Sequence, residues 1–394
     1  MNVAVATHFY PPEPAAGAVR VRSLVDSLTA AGHTVTVVTN YPSFPNGRFS
    51  DERRPLVSVE RAGSARIVRL FSLLLRGVPG ARLVHWMSAA FSASLYLLFS
   101  RDRYDVVIIS SPPITLAAAG IAGAMRHRAR LVVDVRDVFP DIAVAMGQWK
   151  PDGLLTRLVE WVAQTLYRRA DLIVAVTPTA VAQIAGRGID ASHLMLAPNG
   201  PERRSPSPGP RSHNGTFTAI YAGNLGVASD IDVLLDAGGL LGNDGVELDI
   251  VGDGAERGRL ERRIADERIG NVHLKGTFPR EEAMAMLASA DVSIVPLKKG
   301  IEESVPTKLY DALSVGCPVV VVADGEAQRA GTSLGALCSP AGDADALARV
   351  LRHLSLLDKS ALRELGDRGR ARVEAANDRA EVMAGVVRRI ASCS

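Results

Sequence analysis

The sequence predicts an α/β protein of two doubly wound parallel-sheet domains facing a shared cleft, and three observations carry that expectation. Short apolar runs alternate with helix-length segments through residues 1–200, and the same cadence restarts after residue 216. Between them lies PNGPERRSPSPGPRSHNG (198–215), whose five prolines and three serines suit no core. The 394 residues are 47% hydrophobic and 22% charged, enough apolar material for two buried cores. That excludes a disordered chain and a single small domain.

The first domain is read over 1–200. Its strands are NVAVAT, TVTVVT, DVVIIS, LVVDV, LIVAVT and LMLAP, apolar on both faces as a sheet covered by helices requires. Between the first two, Val21, Leu24, Val25 and Leu28 recur at helical spacing and Gly32 ends the helix. A linker is placed at 201–216. The second domain, 217–374, carries TAIYAG, LDIVGDG, NVHLKG, VSIVPL and PVVVVA as strands. A charged amphipathic run closes the chain, and its last part, about 375–394, is a candidate to pack back on the first domain. Ligands of such sheets bind beyond the carboxyl ends of the strands, which places the expected site in the cleft.

Charge narrows the function classes. The net charge of +3 gives no reason to invoke nucleic acid. It divides unevenly: residues 1–200 hold 21 basic and 14 acidic side chains, a balance of +7, and residues 201–394 hold 24 and 28, a balance of −4. Cys317, Cys338 and Cys393 are odd in number and lack CxxC spacing, so neither a disulfide framework nor a zinc knuckle is indicated and a reducing cytoplasm is expected. MNVAVATHFYPPEP lacks the features of a signal peptide. WMSAAFSASLYLLFS (86–100) is uncharged, but its 15 residues include four serines, too short and polar to span hydrocarbon.

The most informative segment is IEESVPTKLYDALSVGCPVVVV (301–322). Pro306 stands where a helix begins, Thr307–Val315 forms it and Gly316 ends it. A helix amino terminus presents unpaired N–H groups and a positive dipole end, here over Val305, Pro306 and Thr307 with the N–H groups supplied by the neighbours of Pro306, which suits a diphosphate. Lys308 adds a mobile charge, and Asp311, one turn in, is placed to accept hydrogen bonds from a ribose. An ordinary solvated helix start is the plainer reading of the same residues.

This segment resembles the E-x7-E signature of family 4 glycosyltransferases, here as E-x7-D from Glu303 to Asp311. HFYPPEPAAGAVRVRSLVDSL, GHTVTVVTNYPSFPNGR, DVRDVFPDIAVAMG, APNG, YAGNLGVASDIDVLLDA and IVGDGAERGRLE follow the family's order, and the opening is similar to bacterial members that transfer N-acetylamino sugars. The resemblance implies a GT-B fold of two Rossmann-like domains, a donor domain after an acceptor domain. It implies transfer of a sugar from a nucleotide-diphosphate donor, such as UDP-GlcNAc, with retention and without a metal or other cofactor. On that pattern Glu303 contacts sugar hydroxyls near the reacting carbon, Asp311 takes the ribose position with one methylene less, and Gly17 lets the backbone approach the donor phosphate. A plain turn glycine is the alternative for Gly17. Two departures stand out. Where many members carry Arg and Lys to hold the diphosphate, this chain has Asn224 and Ser229, which leaves Lys308 as the nearest cation. Where several relatives have a histidine near the acceptor, it has Ser111 within SSPP.

Arg136 and Asp137 close the strand LVVDV and are expected to face the cleft, Asp137 to orient an acceptor hydroxyl and Arg136 to bind an acceptor phosphate; a structural ion pair is the alternative. Glu13 and His8 are candidates of the same kind. Glu303, Lys308 and Asp137 are thus the candidate catalytic groups. The loop GDGAERG does not have dinucleotide-fingerprint spacing, and Gly254 within it is assigned to the nucleotide side, with Phe278 near the base. The D-x-D pairs at Asp230/Asp232 and Asp343/Asp345 sit at helix starts, so no metal is assigned. RIVRLFSLLLRG is read as an amphipathic helix with Ile67, Leu70, Phe71 and Leu74 on one face, flanked by Arg66, Arg69 and Arg76. That suits a peripheral enzyme on an anionic membrane taking a polyprenyl-linked acceptor; a helix packed on its own sheet is the alternative. A soluble natural-product acceptor stays open, as do a sugar-nucleotide epimerase and a non-catalytic nucleotide-sugar binding subunit.

Overall fold

A computed structural model describes residues 1–43, 47–49, 54–75, 80–201, 216–242 and 244–392. The linker assigned at 201–216 lies, apart from its two end residues, outside the described residues, as do Arg76 and Cys393. The chain divides into two compact units, Met1–Pro198 with the segment from Ala380 onward, and Asn199–Arg379.

In the first unit the order is β1 (Asn2–Ala6), α1 (Ala16–Ala30), β2 (Thr34–Asn40), β3 (Val57–Ala62), β4 (Ala65–Leu70), α2 (Ala81–Phe99), β5 (Val106–Ser111), α3 (Ala117–His127), β6 (Arg130–Val135), α4 (Asp141–Ala145), α5 (Leu154–Arg169), β7 (Leu172–Ala175), α6 (Pro178–Gly186) and β8 (Leu194–Leu196). Among the described residues the strands form an eight-stranded sheet ordered β3-β4-β2-β1-β5-β6-β7-β8, parallel except where β3 runs against β4. Central strands such as β5 are buried along their whole length, which explains their unbroken apolar runs. Val21, Leu24, Val25 and Leu28 of α1 point into one side of the sheet, and Gly32 adopts φ +80° after the helix, a conformation glycine takes without strain.

RIVRLF is not a helix: residues 66–70 belong to β4. Ile67, Val68 and Leu70 are buried there, and the two arginines spaced three apart, which simulate a helical polar face, are each paired, Arg69 with Glu60 across the hairpin and Arg66 with Asp102. Their charges are neutralised within the fold.

The second unit runs β9 (Phe217–Ala222), α7 (Asp232–Leu241), β10 (Val246–Val251), α8 (Arg257–Asp266), β11 (Val272–Gly276), α9 (Arg280–Ser289), β12 (Val292–Pro296), α10 (Thr307–Ser314), β13 (Val319–Val322), α11 (Gly325–Leu334), β14 (Leu337–Ser339), α12 (Ala344–Ser355) and α13 (Lys359–Asn377). Its sheet is ordered β11-β10-β9-β12-β13-β14 among the described residues, parallel throughout. Then α14 (Arg379–Ser392) places Met383, Val386, Val387 and Ile390 in the first unit's core beside Val3, Val5 and Leu28.

Candidate active site

In the second unit the loops after β9 and β10 meet backbone to backbone. The Gly223 N–H donates to Val251 O at 2.8 Å and the Leu225 N–H to Asp253 O at 2.9 Å. Glycine is required at this junction: a Cβ on Gly252 would lie 1.8 Å from Gly223 O, and one on Gly254 would lie 2.4 Å from Leu225 O. Asn224 sits on the same loop, its carbonyl accepting the Tyr221 hydroxyl at 2.7 Å.

The side chain of Lys308, in the first turn of α10, lies across Gly223, whose added Cβ would be 1.9 Å from Lys308 Cε. Its ammonium donates to Ser229 Oγ at 3.2 Å and stands 4.9 Å from the centre of the Tyr221 ring. The structure therefore brings Asn224, Ser229, Gly254 and Lys308 together, with a cation at the very loop where the expected arginine and lysine are missing. Pro306, in extended conformation, caps α10 with no side-chain hydrogen bond, and the Leu309 N–H donates to Pro306 O at 3.1 Å, so the Thr307 and Lys308 N–H groups are the ones placed to meet a ligand. Glu303, half-buried, lies on the loop into this helix. That loop is fixed by the Glu326 N–H donating to Glu302 O at 2.7 Å and by close packing of Gly325 on Glu302.

Asp311 is occupied in a way its position in the sequence does not foretell. Arg280 Nη2 donates to its Oδ1 at 3.0 Å. Arg280 follows Phe278 and Pro279 at the start of α9, so the pair ties the Phe278 loop to the carboxylate assigned to the ribose. Arg280 escaped sequence reasoning; the only available signal was a cation directly after the loop already assigned to the base. Of the two D-x-D pairs, Asp232 is held by Arg259 and Arg263 and Asp343 caps α12 through the Ala346 N–H. Among the described residues no group of three or more His, Cys, Asp or Glu is placed to hold a metal ion.

The first unit gathers a second set. Arg136 follows β6, and its Nη2 donates to Pro112 O at 2.5 Å, while its Nε has no partner among the described residues. The guanidinium lies over Gly17: a Cβ there would fall 1.9 Å from Arg136 Nη1. The missing side chain at Gly17 thus makes room for Arg136, and the structure joins a donor-side candidate to an acceptor-side one. Beneath them Arg20 of α1 makes a two-pronged pair with Asp134 of β6, at 2.8–3.1 Å, with both side chains buried (3% and 6% exposed). Ser110 and Ser111 are buried with hydroxyls unpartnered among the described residues.

Burial pushes the Asp137 carboxyl above its ordinary value against the pull of Arg136. His8 is buried 4.8 Å from the His85 ring; desolvation, then the charges of His85 and Arg136, lower it to about 3, so it is neutral. Glu13 is buried with one oxygen accepting the Ser43 N–H at 2.9 Å, which holds the loop after β2.

The comparisons agree with this construction. The model of the glycosyl transferase 4-like domain matches residues 16–200, and that of glycosyl transferases group 1 matches 216–356. The Escherichia coli K12 protein WcaI, provisionally named a colanic acid biosynthesis glycosyl transferase, is 24% identical over 86% of both chains. A GDP-mannose-dependent alpha-mannosyltransferase of Mycolicibacterium smegmatis is 26% identical over 81% of this chain and 79% of its own. Sucrose-phosphate synthase of Thermosynechococcus elongatus superposes over the whole of both chains with a TM-score of 0.77 at 21% identity, a likeness of fold. The two matched domains and the two parallel-sheet units together make the chain a family 4 glycosyltransferase of the GT-B fold.

Proposed function

We propose that the protein transfers a hexosyl or N-acetylhexosaminyl group, with retention and without a metal, from a nucleoside-diphosphate sugar to a hydroxyl acceptor. The single observation that carries this is Lys308, held over Gly223 and against Ser229 at the amino terminus of α10. It supplies a cation and aligned N–H groups where a leaving diphosphate gains charge. The bond from the anomeric carbon to the diphosphate oxygen breaks, the acceptor oxygen bonds to that carbon on the same face, and the leaving phosphate takes the acceptor proton. Glu303 contacts the sugar hydroxyls, Asp311 with Arg280 holds the ribose, and Arg136 and Asp137 serve the acceptor in the first unit. The uneven charge favours an anionic acceptor there, a lipid-linked glycan precursor before a soluble natural product. The three scattered cysteines suit a reducing cytoplasm.

A UDP sugar such as UDP-GlcNAc is our first donor candidate, and the name of the mannosyltransferase relative makes GDP-mannose the second. The test is release of nucleoside diphosphate from UDP-GlcNAc, UDP-glucose and GDP-mannose, with and without a panel of polyprenyl-phosphate-linked sugars. Release that needs both one donor and one acceptor supports the reading. Donor turnover without acceptor indicates an epimerase or hydrolase instead, and tight UDP or GDP binding with no release indicates a binding subunit.

A further inference from the structure

The outward face of α2 is apolar along its length. Leu83, Met87, Phe91, Leu95 and Phe99 recur every fourth residue and are each 39% to 79% exposed. The opposite face, His85, Ala89, Ala93 and Leu97, is buried on the sheet side. Nineteen residues make a rod of about 29 Å, and no Asp, Glu, Lys or Arg occurs from Leu83 to Ser100. No helix among the described residues is long and apolar enough to cross a membrane, and one apolar side of α2 is already packed in its own unit, which leaves the exposed stripe to be covered from outside.

Arginines collect at its carboxyl end. Arg101 and Arg103 follow the helix and are exposed, and α3 brings up two more exposed ones: Arg126 donates to Leu98 O at 3.1 Å, and Arg128 ends α3. Tyr104 stacks edge-on with His127 at 5.0 Å, which holds the two segments side by side. Of the nearby carboxylates, Asp102 is paired with Arg66 at 2.7 Å, and Asp105, which accepts the Asn2 N–H at 2.7 Å, keeps its charge, one against the four arginines. At the other end Arg82 lies over the Trp86 ring, 4.9 Å from its centre.

We propose that the Leu83–Phe99 stripe of α2 is a docking face for an anionic phospholipid bilayer, with the helix lying in the interface and Arg101, Arg103, Arg126 and Arg128 on the head groups. Charge complementarity selects this occupant. The aromatic and aliphatic stripe suits the acyl boundary, and the four exposed arginines, which outnumber the single charged carboxylate of Asp105 beside them, suit a negative surface. Two copies of the chain pairing along α2 would set arginines against arginines. The proposal does not rest on the donor or on glycosyl transfer, and its assay contains no sugar.

The experiment is co-sedimentation of the full chain with phosphatidylglycerol–phosphatidylcholine vesicles and with phosphatidylcholine alone, at low and high salt. We expect binding to the anionic vesicles that weakens with salt. The pair Phe91→Glu and Phe99→Glu should reduce it on the order of tenfold or more, and Arg101→Gln with Arg126→Gln about fivefold per arginine. Leu356→Glu, an exposed leucine of the second unit, should leave binding unchanged. Equal melting temperatures show that the variants fold. No binding to anionic vesicles, binding indifferent to the Phe91 and Phe99 changes, or a dimer in sedimentation equilibrium that Phe91→Glu dissociates would each overturn the proposal.

Discussion

Replacing Lys308 with Met keeps most of the stem that lies over Gly223 and removes only the charge. Among the described residues the ammonium makes one hydrogen bond, to Ser229 at 3.2 Å, and one cation–π contact, to Tyr221 at 4.9 Å. Together these contribute about 1–2 kcal/mol, so the variant should melt no more than about 8 °C lower. Catalysis should suffer far more. A donor aimed at charge that develops in the transition state contributes about 2.7–4 kcal/mol, or about 10²–10³ in rate. Initial rates of nucleoside-diphosphate release measure this as kcat/KM. Because Ser229 lies within hydrogen-bond reach of the lysine, Ser229→Lys in the Lys308→Met background should recover about tenfold, by returning a cation to the same place. A folded Lys308→Met variant with kcat/KM within about threefold of the parent would refute the argument that this lysine replaces the missing clamp.

Asp134→Asn strips the charge from the buried pair with Arg20 and should cost about 3–5 kcal/mol in urea unfolding, whereas Arg20→Met with Asp134→Leu should come much closer to the parent; a cost under about 1 kcal/mol would mean that the pair is not desolvated. His8 is held neutral with its pKa lowered from 6.5 to about 3, so the unfolded chain binds the proton first. Its contribution to stability is full above pH 6.5 and falls towards pH 3, by up to about 1.4 kcal/mol per pH unit, and His8→Phe should flatten that slope by one proton's worth in urea titrations across this range. Arg280→Ala releases a half-exposed partner of Asp311, so the melting temperature should barely move, while the KM for donor rises about three- to tenfold at constant kcat; an unchanged KM would remove Arg280 from the donor site.

The parts that were legible in the sequence are those whose signal is local. β1, β5 and β13 are apolar on both faces because helices cover both sides, and α10 is bounded by Pro306 and Gly316. β3 was missed because it is an edge strand with mostly exposed side chains, and β14 because three residues carry no period. β4 was mistaken for a helix because Arg66 and Arg69 find their partners at Asp102 and Glu60, contacts that no window on the chain contains. The site divides in the same way. Asn224 and Lys308 stand in motifs, whereas the packing of Lys308 against Gly223 and the Arg280–Asp311 pair join residues 85 and 31 positions apart. Asp134, a lone carboxylate in the run LVVDV, went unread, and nothing within that run points to Arg20 of α1 as its buried partner.

The central claim is that Glu303 and the α10 amino terminus carry glycosyl transfer from a nucleoside-diphosphate sugar. The most direct measurement is acceptor-dependent nucleotide release by Glu303→Gln beside the parent, with UDP affinity determined on both by calorimetry. The account predicts that affinity stays within about threefold while kcat falls on the order of 10²-fold. Undiminished transfer by the variant, or UDP affinity lost in step with kcat, would contradict it.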